Sequence, residues 1–455
     1  MFLNDFFQLQ KRGTTVKTEV LAGITTFMTM AYILAVNPGI LSTTGMDYQA
    51  VFFATCIASG IITMAMGLFV NFPIALAPGM GLNAYFAVVA AKGGDFTWQE
   101  ALGAVFISGI IFTILTITNL RQLLMVAVPA PLKKAITAGI GLFITIIGVK
   151  LSELVVVDVH LGPSLEAIKS SGGFGHLLFF EWDLKLGNLS SPGVQMALFG
   201  LLLSSLLMAR RVKGALLWGI LATTALGIPL GVTKIENFAY KLPDISHLAV
   251  GQLNIPGALH HGLITVIFTF TFVELFDTFG TLMGTTSRAG LLDEHGNNPN
   301  IGKAMLVDAL GVSFGAFMGT SSTTAYIESS AGIGEGGRTG LTAVVTGLLF
   351  IAALFLAPVF ALIPSAATAP ALIIVGMLMI TDILEVNFQD ITDGVPAFIT
   401  MTMMPFTYNI ANGISAGIVL YTVLKALTGK VRDVHWLMWI LTVLVVLRYS
   451  YIGIA

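Results

Sequence analysis

Long apolar stretches alternate with short polar connections along almost the whole chain. Stretches of roughly 20 apolar residues match a hydrocarbon core about 30 Å thick. Fourteen of them lie at residues 18–40, 48–70, 73–91, 98–118, 132–151, 194–209, 213–230, 260–282, 302–318, 320–334, 339–358, 367–384, 394–409 and 411–428. A last apolar stretch, 435–453, contains Arg448 and could span the membrane or lie along its surface. The pattern predicts an all-α multispan membrane protein with fourteen transmembrane segments.

Composition supports a membrane protein and excludes several other classes. Hydrophobic residues make up 56% of the chain and charged residues 10%, whereas soluble domains carry about 25% charged residues. The net charge of −2 gives no reason to expect a nucleic-acid partner. Cys56 is the single cysteine, which excludes an intrachain disulfide and a multi-cysteine metal site. The first twenty residues lack the continuous apolar core of a signal peptide.

Basic residues predict the orientation of the chain, because cytoplasmic connections are enriched in Lys and Arg. With a cytoplasmic N-terminus, 15 of the 22 basic residues fall on the cytoplasmic side, and six are scattered over the other side. The fifteen are Lys11, Arg12, Lys17, Arg121, Lys133, Lys134, Arg210, Arg211, Lys213, Arg288, Lys303, Arg338, Lys425, Lys430 and Arg432. Shifting the register by one span would destroy this asymmetry. We therefore predict a plasma (inner) membrane protein with its N-terminus in the cytoplasm.

Fourteen spans can form two copies of a seven-span unit. Because seven is odd, the second copy would insert with the opposite orientation, as in the inverted repeats of many secondary transporters. The segments ITTFMTMAYILAVNPG (24–39) and ITVIFTFTFVELFDTFG (264–280) align and place Asn37 opposite Asp277. Any two helices rich in Phe, Thr and Ile align to some extent, so this match alone is a weak indication of the repeat.

The third span of each half carries a stronger signal. Span 3 has Pro73, Pro78, Gly79 and Gly81 in its first half, and span 10 (GTSSTTAYIESSAGIGEGG) opens with hydroxyl residues before turning glycine-rich. Both patterns indicate an extended first half followed by a short helix. Lipid tolerates such backbone only where protein or a water-filled cavity covers it. Paired interruptions at matching positions point to a transporter binding site; ordinary kinked helices are the alternative.

Four acidic residues lie inside predicted spans without a Lys, Arg or His beside them. They are Glu274 and Asp277 in span 8, Asp308 in span 9 and Glu328 in span 10. Burying an unpaired carboxylate is costly, so such a group takes up a proton, a cation or a hydrogen-bonding ligand. A hydrogen bond between helices is the structural alternative for each acid. Clustered intramembrane acids indicate a functional site.

Spacing along the helices suggests what the acids could hold. Glu274, Asp277 and Thr281 follow one stripe of a helix, and Glu328 lies near the start of the predicted half-helix of span 10. A planar ligand with N–H and C=O groups could bridge these acids and the exposed backbone of spans 3 and 10. Four aromatic side chains of span 8 offer stacking faces, although packing or lipid contact is the more common role of any one of them: Phe270, Phe272, Phe276 and Phe279.

Motifs for other chemistry are missing from the sequence. The segment AGIGEGGRTG (331–340) lacks the Lys-Ser/Thr pair of a phosphate-binding loop, so nothing supports ATP-driven pumping. The chain has no HExxH, no Gly-x-Ser-x-Gly and no Cys/His ligand set. We therefore predict a transporter rather than a membrane enzyme, with no cofactor or metal and with the proton as coupling ion. Sodium coupling is left open by the residue types.

Over nearly its whole length the chain resembles the AzgA-like purine permeases of the nucleobase–ascorbate transporter superfamily. The resemblance rests on LAGITTFMTMAYILAVNPGIL (21–41), ALAPGMGLNAYF (75–86), FTFTFVELFDTFGTLMG (268–284) and GTSSTTAYIESSAGIGEGGRTG (319–340). Asp277 stands where the wider superfamily has Glu, and the run Thr323–Glu328 has one more residue than its counterpart there. Both departures fit the purine branch.

The resemblance implies an architecture with core and gate domains, in which spans 3 and 10 contribute short antiparallel strands. The expected divisions are 1–128 (core, spans 1–4), 129–258 (gate, spans 5–7), 259–360 (core, spans 8–11) and 361–455 (gate, spans 12–14 and the C-terminal apolar segment). The resemblance also implies proton symport of hypoxanthine, guanine or adenine and suggests a homodimer. A runner-up is an anion exchanger or channel of the same architecture.

The resemblance further assigns roles to individual residues. It implies that Asp277 and Glu328 bind the base, with Asn83 and Thr324 as neighbours in the site. It makes Glu274 and Asp308 candidates for binding or for proton coupling. We take Asp308 as the first choice for coupling, because Asp277 and Glu328 are better placed to hold a base.

Overall fold

The protein is a bundle of helices with two small antiparallel strand pairs. The structure, a computed structural model, describes residues 2–91, 94, 96–118, 120, 127–161, 180–235, 248–260, 264–291 and 298–451. The elements before the midpoint are α1 Phe2–Phe6, α2 Val16–Met30, α3 Ile33–Leu41, α4 Tyr48–Ala65, β1 Leu76–Pro78, α5 Met80–Val89, α6 Trp98–Ile117, α7 Ala130–Leu151, β2 Val155–Leu161, β3 Phe180–Leu186, α8 Pro192–Ala209 and α9 Ala215–Gly227.

The second half of the chain also consists mostly of helices. They are α10 Ile255–His260, α11 Ile264–Arg288, α12 Ile301–Met318, β4 Thr323–Ala325, α13 Ser329–Gly334, α14 Gly340–Ala352, α15 Ala357–Phe360, α16 Ser365–Ile380, α17 Ile391–Phe406, α18 Ile410–Leu427 and α19 Trp436–Tyr451. Within the described residues, nine helices are long and apolar enough to cross a membrane, and four apolar helices are shorter. The chain is therefore a multi-pass membrane protein, whereas the count of fourteen spans stays a prediction.

Polar side chains define where several helices begin. Thr15 accepts a hydrogen bond from the backbone N–H of Thr18 at the start of α2, and Asp47 does the same for Ala50 at the start of α4. Thr97 and Glu100 form a reciprocal capping box on α6. Such side chains satisfy N–H groups that the first turn of a helix leaves without a partner. The apolar runs thus become helices whose ends are specified locally.

The helices pack into two groups. In the first group α6 packs on α12, α4 on α14, and α2 on α13 and α14. In the second group α7 packs on α16 and α17, α17 on α18, and α8 on α9 and α16. The groups meet where α3 contacts α16 and where α5 contacts α7. The first group falls within the predicted core segments and the second within the predicted gate segments; relative motion of the two stays a prediction.

Contacts between connections gather at the two ends of the bundle. At one end the Arg12 guanidinium donates to the carbonyl oxygens of Asn71 (3.0 Å) and Arg338 (2.9 Å), and Lys213 pairs with Glu335 at 2.6 Å. Lys134 pairs with Glu385, and Lys430 pairs with Asp390. The Arg12 contacts join the N-terminal segment to connections predicted to follow even-numbered spans, and the three ion pairs join such connections to one another. Arg121, which is predicted to lie here too, is outside the described residues.

The opposite end joins connections predicted to follow odd-numbered spans. The Tyr48 hydroxyl donates to the Phe360 carbonyl oxygen (2.9 Å), and the Gly251 N–H donates to that of Phe317 (2.7 Å). The Asn254 N–H donates to the carbonyl oxygen of Gln99 at 3.0 Å.

Two features differ from the sequence expectation. Strands β2 and β3 pair antiparallel from Val155 opposite Leu186 to Leu161 opposite Phe180, and the sequence analysis did not predict this pair. The first predicted span is interrupted at Ala31 and Tyr32, between α2 and α3. The C-terminal stretch forms helix α19, which packs against α18.

Candidate functional site

Two short strands meet in the middle of the first helix group. β1 and β4 pair antiparallel with Leu76 opposite Ala325 and Pro78 opposite Thr323, which places strands in the interrupted halves of spans 3 and 10, as predicted. The pairing continues beyond the strands, because the Gly79 N–H donates to the carbonyl oxygen of Ser322 at 2.9 Å. A non-helical backbone at membrane depth is thereby satisfied by protein groups.

Hydroxyl groups and glycines seat the strands. The Thr63 hydroxyl of α4 accepts from the Leu76 N–H and donates to the Leu76 carbonyl oxygen, both at 2.9 Å. A Cβ added at Gly315 of α12 would lie 2.7 Å from the carbonyl oxygen of Ser321, and one at Gly311 would lie 2.8 Å from Thr323 Oγ1. Side chains larger than hydrogen would therefore push α12 away from the strand.

A cavity of about 90 Å³ opens beside the strand pair. Its walls come from the first helix group and from α7 and α16 of the second. The lining residues are Tyr32, Gly79, Met80, Gly81, Leu82, Ile140, Val273, Asp277, Thr281, Thr324, Ala325, Tyr326, Ile327, Glu328, Val375 and Met379. This volume lies below the usual range of about 300–1,000 Å³ for small-molecule sites. The cavity is the place where a ligand would touch both helix groups.

Two of the four intramembrane acids line the cavity. Asp277 reaches it from α11, and Glu328 reaches it from the residue that precedes α13; both residues are half-buried. The Tyr32 hydroxyl donates a 2.8 Å hydrogen bond to Glu328 Oε1. Thr324, on β4, also lines the cavity, and its hydroxyl lies 3.0 Å from that of Thr278. Two carboxylates therefore face one small volume.

The other two acids lie outside the lining and contact the segment around β4. Asp308, which is fully buried, accepts from the Ala325 N–H (3.0 Å) and from the Thr278 hydroxyl (2.7 Å). Glu274 accepts a 2.7 Å hydrogen bond from the Ser322 hydroxyl. Asn83, another predicted site residue, is fully buried and accepts from the Ser321 hydroxyl. Asp308, Glu274 and Asn83 therefore contact the extended segment without lining the cavity.

Phe270 and Phe272, two described aromatic side chains of α11, are not among the residues that line the cavity. Phe270 is buried against Tyr85, with ring centroids 5.4 Å apart, and Phe272 stacks on Phe268 at 5.2 Å. The structure therefore places Phe270 and Phe272 in packing contacts, which is the alternative that the sequence analysis gave for these side chains. The side chains of Phe276 and Phe279 lie outside the described residues. The described aromatic rings of the lining are Tyr32 and Tyr326.

Sequence reasoning did not single out several of the lining residues. Tyr32 lies at the interruption of the first span, and Tyr326 donates its hydroxyl to the Pro78 carbonyl oxygen. Tyrosines in apolar spans were a signal that could have been followed, since a buried hydroxyl needs a partner. Ile140, Val375 and Met379 come from ordinary apolar helices and carry no such signal.

The cavity presents both acceptors and donors of hydrogen bonds. Asp277 and Glu328 supply carboxylate oxygens. Residues 80–82, in the first turn of α5, precede the first bond of that helix, from the Asn83 N–H to the Gly79 carbonyl oxygen at 2.8 Å. The first N–H groups of a helix lack intrahelical partners and can donate to a ligand. In the described part of the lining there is no Lys, Arg or His. Such a site suits a neutral ligand with N–H groups and acceptors on one ring edge.

Comparison with known proteins shows the family of the chain. Residues 17–172 and 165–416 match the Permease family (Xan_ur_permease). The chain belongs to this permease family. Adenine permease AdeP of Escherichia coli (strain K12) is 42% identical over 450 residues, which cover 99% of this chain and 96% of AdeP. Guanine/hypoxanthine permease PbuO of Bacillus subtilis (strain 168) is 42% identical over 449 residues, 96% of this chain and 98% of PbuO.

A solved structure shares the fold of this permease. The transmembrane domain of the cyanobacterial bicarbonate transporter BicA superimposes with a TM-score of 0.63 at 13% identity, covering 88% of this chain and 97% of that domain. At this identity the likeness concerns architecture alone. The permease relatives agree with the expectation of a transporter rather than an enzyme.

Proposed function

We propose that this permease imports purine bases (hypoxanthine, guanine or adenine) across the plasma (inner) membrane by proton symport. The observation that carries the proposal is a cavity with two carboxylates, Asp277 and Glu328, facing the first turn of α5. Support comes also from relatives named for adenine and for guanine and hypoxanthine. A purine offers N–H donors together with ring-nitrogen or carbonyl acceptors, which is the complement of this lining.

In the proposed binding mode the carboxylates accept from the base and the backbone donates to it. Asp277 and Glu328 would accept N–H groups on two edges of the ring, and N–H groups of residues 80–82 would donate to an acceptor atom. Thr324, on β4, would lie within reach of the same edge. Asn83 and Glu274 would act one layer further out, through Ser321 and Ser322, which hold the extended segment.

An anion exchanger or channel is the second candidate, because BicA has the same fold. The charge of the lining argues against it. Two acids and no described basic side chain face the cavity, and like charges in a low-dielectric site disfavour each other. A neutral base meets no such repulsion. We therefore favour purine transport.

Alternating access would arise from motion between the two helix groups, which we take as core and gate. The cavity is lined by both groups, so its exposure to either side would change when they move. The contacts at the two ends of the bundle support the proposed fourteen crossings, since each joins connections expected on one side of the membrane. A homodimer in the bilayer is part of the proposal through the family resemblance.

Proton coupling is proposed to use Asp308 or Glu274. Asp308 accepts from the Ala325 N–H, and Glu274 accepts from Ser322, so each contacts the segment that also lines the base site. Hydrogen bonds to an ionised carboxylate are stronger than those to a neutral one. Protonation would weaken these contacts and shift β4, which would link proton occupancy to the shape of the site. The proposal includes no resident cofactor or metal.

Reconstituted transport tests the proposal. Proteoliposomes loaded with unlabelled hypoxanthine, guanine or adenine should take up the radiolabelled base by counterflow, and an inward proton gradient should drive its accumulation. Empty liposomes and liposomes with Asp277→Asn protein are the controls. Uptake of labelled bicarbonate or sulfate with no counterflow of any purine would favour the second candidate. Counterflow that ignores a proton gradient but follows a sodium gradient would reject proton coupling alone.

A further inference from the structure

Tyr32 contacts the carboxylate of Glu328 at the interruption between α2 and α3. The Tyr32 side chain is fully buried, yet it lines the cavity, and its hydroxyl lies 2.8 Å from Glu328 Oε1. A carboxylate that accepts a hydroxyl hydrogen bond on one oxygen has its other oxygen directed away from that donor. The Tyr32 hydroxyl therefore helps to orient the Glu328 carboxylate in the cavity.

Backbone contacts place Glu328, and its carboxylate interacts with the Glu328 backbone N–H as well as with the Tyr32 hydroxyl. The Glu328 carbonyl oxygen accepts from the Ala331 N–H at 2.9 Å and from the Thr29 hydroxyl at 3.5 Å. Glu328 begins α13 without a side-chain capping bond. A glutamate has several rotatable bonds, and a ligand that must order them loses affinity; a side chain ordered beforehand avoids that loss.

Other tyrosines show that the Tyr32 contact is of a different kind. The Tyr326 hydroxyl donates to the Pro78 carbonyl oxygen, and the Tyr48 hydroxyl donates to that of Phe360. Those two bonds tie backbone segments together. Tyr32 instead donates to an acid in the cavity, and a hydrogen bond to a charged acceptor is roughly twice as strong as one between neutral groups.

We propose that Tyr32 is a positioning residue that holds Glu328 so that Oε2 accepts an N–H group of the purine. The inference rests on the proposed function, since it assumes that a base occupies the cavity. Tyr32 acts through Glu328, so its contribution to binding should disappear when Glu328 can no longer accept as a carboxylate.

Equilibrium binding of a purine to purified full-length protein tests the inference. Tyr32→Phe should weaken binding by about tenfold, because it removes one hydrogen bond to a charged group. Tyr48→Phe is the matched control: it removes a half-buried tyrosine hydroxyl that is bonded at 2.9 Å and is not part of the cavity lining, so its affinity should equal that of wild type. In the Glu328→Gln background, adding Tyr32→Phe should change affinity by less than about twofold.

Infrared difference spectra provide a readout that a purely structural role would not change. The carboxylate bands that Glu328→Gln abolishes should shift in Tyr32→Phe and remain in place in Tyr48→Phe. If Tyr32→Phe does not fold, difluorotyrosine at position 32 retains the shape and the hydroxyl while strengthening the donor, and the same bands should shift.

Three results would each overturn the inference: wild-type affinity in Tyr32→Phe, an equal loss of affinity with and without the Glu328 carboxylate, or unshifted carboxylate bands. A wild-type protein that binds no purine would instead reject the proposed function.

Discussion

Gly81, on α5, lies close to α7 of the second helix group beside the cavity. A Cβ added at Gly81 would lie well inside 3.0 Å of Ile140 Cγ2 on α7, a separation that real Cβ atoms do not show. The next atoms, Ile140 Cβ and Ile144 Cδ1, would lie at 3.7 and 3.8 Å, which is ordinary contact. Gly81→Ala should therefore strain the described arrangement through a single methyl group.

The size of the effect follows from overpacking, which typically costs about 1–3 kcal/mol in a well-packed site. If that strain acts on one arrangement of the two helix groups, the equilibrium between arrangements shifts by about 5- to 150-fold. We expect the initial rate of purine uptake into proteoliposomes to decrease by a factor in this range. The protein yield and the thermal unfolding temperature should stay near those of wild type.

Two further variants make the result specific to the clash. Gly81→Ala combined with Ile140→Ala should recover transport to the level of Ile140→Ala alone, because the offending Cγ2 atom is gone. Gly39→Ala is the matched control, since its Cβ would meet Thr368 Oγ1 of the second group at 3.9 Å. If Gly81→Ala transports as well as Gly39→Ala, or if Ile140→Ala restores nothing, the close approach of α5 and α7 is not part of the transport cycle.

Substitutions at the acids separate binding from coupling. Glu328→Gln should weaken purine binding by about 10- to 150-fold in equilibrium titrations, since an amide keeps one acceptor atom where the carboxylate has two; near wild-type affinity would remove Glu328 from the site. Asp277→Asn should also weaken binding, whereas Glu274→Gln should spare affinity and disturb accumulation, and equal losses in both would show that the two roles are wrongly divided. Asp308→Asn should abolish uphill accumulation but leave downhill counterflow, and accumulation that persists yet collapses with a protonophore would exclude Asp308 as the coupling residue.

The helices and the central strands could be predicted because their signals are local. Apolar length, together with Pro and Gly in the first half of span 3, pointed to the region where β1 and α5 lie. Proline lacks an N–H and glycine lacks a Cβ, so both act on the backbone wherever the chain carries them. The pairing of β1 with β4 was expected only through the family resemblance, since the partners are more than two hundred residues apart.

Two elements escaped prediction for opposite reasons. The β3 segment FEWDLKL alternates apolar and polar residues strictly, which is the period of a strand, so its signal was present but went unused. The interruption at Tyr32 has no such signal: neither Ala31 nor Tyr32 breaks a helix, and Pro38 lies within α3. Tyr32, at that interruption, donates its hydroxyl hydrogen bond to Glu328.

The sequence also did not predict which acids line the cavity and which contact the extended segment around β4. Three residues advance an α-helix by about 300°, so side chains at that spacing diverge by about 60°. This angle suffices for Asp277 to line the cavity while Glu274 contacts Ser322, yet a sequence pattern places both on one stripe. Clustering identified the region, and only the packing of α11 against the extended segment assigns each acid its neighbours.

If this chain carries a neutral purine as proposed, few side chains would set the charge of its substrate. The bicarbonate transporter BicA has the same fold at 13% identity. The first turn of α5 offers N–H groups with a partial positive charge, which favours an acceptor of either kind. Asp277 and Glu328 add two carboxylates to the same cavity, and a bound anion would have to overcome their repulsion in a poorly screened site. We infer that these two acids turn a site suited to acceptor groups into one that requires N–H donors from its ligand.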